Sequence, residues 1–124
     1  MLPASSSLDT ILKRFDAPDE VREVAKGRME LVTIAGQTLG RARYRPGWKW
    51  SEHVGPGVNA SRGSVEHLGI LLEGHATAAF EDGRIFDLTR GTIFYFPPVP
   101  HDSWVVGDVP YVSLHFLGAE KFAK

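Results

Sequence analysis

The sequence predicts an all-β fold, a β-sandwich or barrel preceded by a short, partly helical lead. From residue 30 onward, about nine short runs of strand-forming residues recur at regular spacing, with turn residues between them. Asp82-Gly83 joins two of these runs and is a strong hairpin signal, because the pair accepts positive φ. Pro97-Pro98-Val99-Pro100 marks a sharp corner between two others.

Residues 1–28 read as an N-terminal lead that packs on the barrel or on a second subunit. Leu8, Ile11, Leu12 and Phe15 stand at helical spacing after a Ser-rich start. Asp16-Ala17-Pro18-Asp19-Glu20 breaks that pattern, and Val21 to Lys26 is expected to form another turn. The acidic residues here read as a solvated loop with helix N-terminal charge rather than a cation site. Residues 29–124 form one barrel domain. Its expected strands are Glu30–Ala35 and Thr38–Tyr44 around a Gly36-Gln37 turn, then Lys49–Val54, then the strongly apolar Val65–Leu72. His75–Phe80, Arg84–Leu88, Thr92–Phe96, Ser103–Val106 and Tyr111–Leu117 complete the set.

The bulk properties exclude several function classes. A chain of 124 residues makes one domain with a real core. A formal net charge of −1 creates no field favouring nucleic acid or an anionic membrane. No run approaches the ~20 apolar residues that span a bilayer. Met1 to Ser7 lacks the basic and apolar regions of a secretory signal, so a cytoplasmic location is expected. Without cysteine there is neither a disulfide nor a thiolate metal site.

Three of the five histidines carry the functional reading. His53, His67 and His101 lie on or beside separate strand candidates, so inward-facing imidazoles could meet inside a barrel. Three neutral imidazoles suit iron, manganese, nickel, copper or zinc, and they leave coordination positions open. Glu52 and Glu66 are the nearest carboxylates, but strand alternation turns each away from its neighbouring histidine. His115 depends on register. The favoured register sends Val112, Leu114 and Phe116 to the core and His115 outward; the opposite one lines a polar cavity wall with Tyr111, Ser113 and His115. His75 is expected to be exposed. Trp50, Phe94, Phe96 and Trp104 are candidate pocket-lining aromatics, suited equally to a barrel core. Arg41, Arg43 and Arg45 alternate on one face, and the outward face is favoured. The segment Gly55 to Ser64 reads either as a lid or as a mobile solvent loop.

Three segments resemble the cupin superfamily of small conserved barrels, the cupin 2-like proteins. Gly47 followed by five residues and His53 resembles the start of the family's first motif. Val65-Glu66-His67 through Leu72-Glu73-Gly74 resembles its end, and Gly91 through Pro97 to His101 resembles the second motif. The resemblance covers about residues 36 to 118 and implies a cupin-type jelly-roll β-barrel. The sequence departs from the family pattern: Gly55 takes the second His position, His67 the usual Glu position, and Val99 a glycine position. What the resemblance implies is one divalent transition metal per subunit, a small-molecule ligand or substrate, a homodimer, and dioxygenase- or isomerase-like chemistry. The alternative is a non-catalytic ligand-binding or sensing barrel. A purely structural role for the histidines is a third reading.

Overall fold

The computed structural model describes residues 9–124. Nine antiparallel strands occur among them, named in chain order. They are β1 Glu20–Val24, β2 Gly27–Ile34, β3 Gln37–Tyr44, β4 His67–Glu73, β5 His75–Phe80, β6 Ile85–Thr89, β7 Ile93–Phe96, β8 His101–Val105 and β9 Tyr111–Leu117. Six form one sheet in the order β1-β2-β3-β9-β4-β7, and three form a second in the order β6-β5-β8. Each strand sends alternate side chains to the space between the sheets. Met29, Leu31, Ala42, Tyr44, Leu71, Ala76, Ala78, Phe80, Leu88 and Val105 build the core there.

Most strands fall where the sequence puts them, and local chemistry explains the turns. Ala35 and Gly36 link β2 to β3 with φ of 49° and 78°, the two left-handed residues that a two-residue hairpin requires. This turn lies one residue earlier than Gly36-Gln37. Between β5 and β6, Gly83 adopts φ 94°. There Asp82 accepts from the Arg84 backbone N–H at 3.0 Å and from its Nε at 2.8 Å.

Two expected elements differ. Lys49–Val54 is not a strand: Trp50–His53 forms a single helical turn, α1, and Gly55–Val58 a 3-10 turn. Asp102, buried on the outer side of β8, accepts from Ser51 N at 3.0 Å and from Ser51 Oγ at 2.7 Å, which fastens α1 to the sheet. A tertiary partner 51 residues away thus overrides the local strand preference of the segment. The second difference is at Val21–Lys26, where β1 pairs antiparallel with β2 instead of turning.

Residues 9–19 contain no helix. Leu8 lies outside the described residues. The lead packs on the barrel nonetheless: Lys13 reaches Asp19 and the carbonyl of Thr33, and the Phe15 ring lies 5.5 Å from the Arg41 guanidinium. Arg41 and Arg43 do face outward, where both bind Glu30. Glu30 is buried under this network, so the outer face of β2 and β3 is covered rather than free. No helix of the described residues is long and apolar enough to cross a membrane.

Candidate functional site

The inward faces of β4, β7, β8 and β9 build a cavity of about 80 Å3. β4 contributes His67, β7 contributes Phe94 and Phe96, and β8 begins at His101. β9 contributes Tyr111 and His115, so the inward register of that strand is Tyr111, Ser113 and His115. The favoured expectation that Val112, Leu114 and Phe116 face the core is therefore reversed. The reason lies in the neighbours. Tyr111 and Ser113 pair with Tyr44 and Ala42 of β3, and His115 pairs with Gly40, all buried on the inner face. Residues directly opposite one another in an antiparallel pair share a face, so these partners turn Tyr111, Ser113 and His115 inward.

The structure brings His67, His101 and His115 together. The His67 ring centroid lies 6.1 Å from that of His101 and 5.5 Å from that of His115. His53 stands apart in α1, where its Nδ1 accepts the Lys49 backbone N–H at 2.9 Å, and it does not line the cavity. The helical turn is the cause, because a strand there could have sent His53 inward. Trp50, Phe94 and Phe96 line the cavity as expected. Trp104 does not: it lies on the outer side of β8 with the Lys49 ammonium 5.2 Å above its ring. Glu66 faces outward and accepts from the Tyr95 hydroxyl, and Glu52 is exposed. His75 is half-buried, 3.5 Å from an Asp87 carboxylate oxygen. The 55–64 segment supplies Val58 and Gly63 to the cavity wall, while Arg62 turns toward Glu81. Trp48, beside the first motif, lines the cavity too, and Tyr44 and Phe122 are lining aromatics that pattern reading missed.

Two of the three imidazoles, His67 and His115, are held neutral. Burial first, then the neighbouring His115 and His101 rings, push His67 down to about 3. Burial pushes His115 down to about 4. His101 Nδ1 lies 2.9 Å from the carbonyl of Val99. A carbonyl only accepts, so Nδ1 carries the proton and Nε2 keeps a free lone pair. A two-way backbone bridge to Gly63, both bonds 2.9 Å, fixes the His101 backbone. His115 Nε2 bonds Ser113 Oγ at 2.8 Å. The Nδ1 atoms of His67 and His115 are buried without any hydrogen-bond partner, as is Trp48 Nε1. Each orphaned group costs about 1–3 kcal/mol, so an apolar cavity holding several calls for a ligand that would satisfy them.

The fit to a metal ion follows from these atoms. Orphaned nitrogens on neutral imidazoles are the donors a divalent transition metal takes. Among the described residues, no three His, Asp or Glu side chains stand at binding distance of one point. Rings sharing an ion at ~2.0–2.1 Å per bond have centroids about 5 Å apart, so these rings would close by roughly 1 Å. The donors fit, and the rings would have to move inward. Among the described residues no Asp or Glu side chain lines the cavity to serve as a fourth ligand or a general base.

No family profile and no curated protein matches this sequence. Several solved structures share its fold. A cupin 2 domain-containing protein from Halorhodospira halophila is 19% identical, with a TM-score of 0.56 over 77% of this chain and 66% of that one. A cupin domain from Bordetella pertussis is 16% identical, with a TM-score of 0.52 over 73% of this chain and 91% of that one. The oxalate decarboxylase of Lactobacillus farciminis, solved with formate, is 17% identical with a TM-score of 0.56. The match covers 80% of this chain but only 30% of the decarboxylase. At these identities the likeness is one of fold: the chain folds as an all-β cupin jelly-roll.

Proposed function

We propose that this cupin barrel binds one divalent transition metal through His67, His101 and His115, and acts on a small organic molecule held in the aromatic cavity. The observation that carries the reading is the set of three imidazoles that meet in one cavity, two with buried nitrogens that have no partner. His115 takes the place that the sequence motif suggests for His53. When bound, the metal would polarise a substrate oxygen or engage dioxygen, the two chemistries that suit dioxygenase- or isomerase-like activity. The protein's own part is to fix the tautomer of His101 through Val99, to orient His115 through Ser113, and to exclude water with Phe94 and Phe96. The decarboxylase among the fold neighbours supports a metal-dependent reading only by analogy of fold.

Elemental analysis of untagged protein tests this. Near-stoichiometric metal is expected in the wild type and in His53→Ala. A folded His67→Ala, His101→Ala double variant is expected to lose it. Absence of metal after reconstitution with each ion overturns the metal centre. A second reading, a non-catalytic ligand-binding barrel, is favoured by the lack of any Asp or Glu side chain in the cavity among the described residues. Turnover of a bound compound separates the two.

We also propose a homodimer. On the outer face of the large sheet, β2 and β3 are covered by residues 13–16. The uncovered half of the same sheet face is apolar. Leu68 faces outward beside Tyr95, and Ile70 beside Ile93 and Leu114. Ile93 is 73% exposed and Phe116 47%. A flat apolar face bordered by the covered half suits isologous pairing with a second copy.

A further inference from the structure

We infer that the cavity selects a small, uncharged organic molecule carrying a hydrogen-bond acceptor, and that Trp48 receives that acceptor through its Nε1–H. This rests on the reading of the cavity as a ligand site. Trp48 is 3% exposed and lines the cavity, and its Nε1–H has no partner. The indole is a donor only, so its missing partner must be an acceptor. The ring cannot swing out to find one. It stacks on Tyr44 with centroids 3.7 Å apart and planes within 1°. Its backbone N–H donates to Arg45 O at 3.1 Å, and its carbonyl accepts from Val105 at 2.9 Å.

Charge and size set the ligand class. Among the described residues no Asp or Glu lines the cavity, and the two lysines that do, Lys121 and Lys124, are exposed and stand at its rim. In the metal-free cavity an anion would have no cation to meet it, while Phe94, Phe96, Tyr111 and Phe122 offer faces and edges to a planar neutral molecule. About 80 Å3 lies well below the roughly 300 Å3 at which drug-sized sites begin, which points to a fragment of one ring.

Benzaldehyde, toluene and benzoate form the test set, titrated calorimetrically into the full chain after removal of metal. Wild-type protein is expected to bind benzaldehyde about tenfold more tightly than toluene, and benzoate not at all. Trp48→Phe keeps the ring and removes the N–H. It should lose about tenfold for benzaldehyde and stay within twofold for toluene. Should the variant fail to fold, the indole N–H resonance of Trp48 in the wild type decides. It should shift on adding benzaldehyde and hold still on adding toluene. Equal affinities for benzaldehyde and toluene, tightest binding of benzoate at the rim lysines, or no binding at all would each overturn the assignment. Cobalt uptake, measured on the same samples, keeps the metal reading separate. Failure to take up cobalt with the benzaldehyde preference intact removes the metal centre alone.

Discussion

Gly69 faces the cavity on β4, paired with Phe94 of β7 on one side and His115 of β9 on the other. A Cβ built there would meet the Phe94 ring at 2.8 Å and the backbone oxygen of Leu114. The absent side chain lets the Phe94 and His115 rings approach edge to face, with centroids 5.7 Å apart. Gly69→Ala should therefore destabilise the fold by about 1–3 kcal/mol, read as a lowered denaturation midpoint. An unchanged midpoint would mean that the strand shifts freely and that the histidine wall is not tightly set. Tyr111 responds to the same enclosure: burial pushes its phenol up to about 12, so it stays neutral beside the imidazoles.

Strands β2 and β3 carry the main ionic network on their outer face. Arg41 binds both Glu30 and Asp16, while Arg28 and Arg43 also reach Glu30. Burial pushes the Glu30 carboxyl up, but hydrogen bonding and the charges of Arg41 and Arg43 outweigh it and hold the group below its ordinary 4.5. A carboxylate with a lowered folded value contributes stability that is complete above its unfolded value. That contribution is lost as pH falls through the folded value. Wild-type stability should fall below about pH 4.5 more steeply than that of Glu30→Gln. At neutral pH the substitution should cost about 1–3 kcal/mol, because the arginine cluster loses its buried negative charge and one of the two carboxylate oxygens becomes an NH2 donor facing an arginine. Parallel denaturation curves of the two proteins at each pH check both statements, and identical acid slopes would remove Glu30 from the account.

At the scale of the molecule, the two faces of the large sheet divide the labour. The inner face of β4, β7 and β9 holds His67 and His115, facing His101 of the smaller sheet, and the outer face of the same strands is apolar and uncovered. Light scattering should therefore give the mass of a dimer for the wild type. Ile93→Glu with Phe116→Glu should give a monomer with unchanged metal content, because neither side chain lines the cavity. A monomeric wild type at tens of micromolar overturns the pairing.

Local signals in the chain carried the all-β barrel and the place of most strands. Strand runs, the Asp82-Gly83 hairpin and the Pro97 to Pro100 corner are local signals, and local signals survive without knowledge of the fold. Three matters were decided only by tertiary structure. Asp102, 51 residues from Ser51, seats a helical turn where a strand was expected, and so takes His53 out of the cavity. Pairing with the inward-facing Tyr44, Ala42 and Gly40 of β3 turns Tyr111, Ser113 and His115 of β9 inward. The lead covers β2 and β3, and so moves the free apolar face to the other half of the sheet. Each depends on which strands become neighbours, and pairing between distant segments leaves no trace in the composition or spacing of either one.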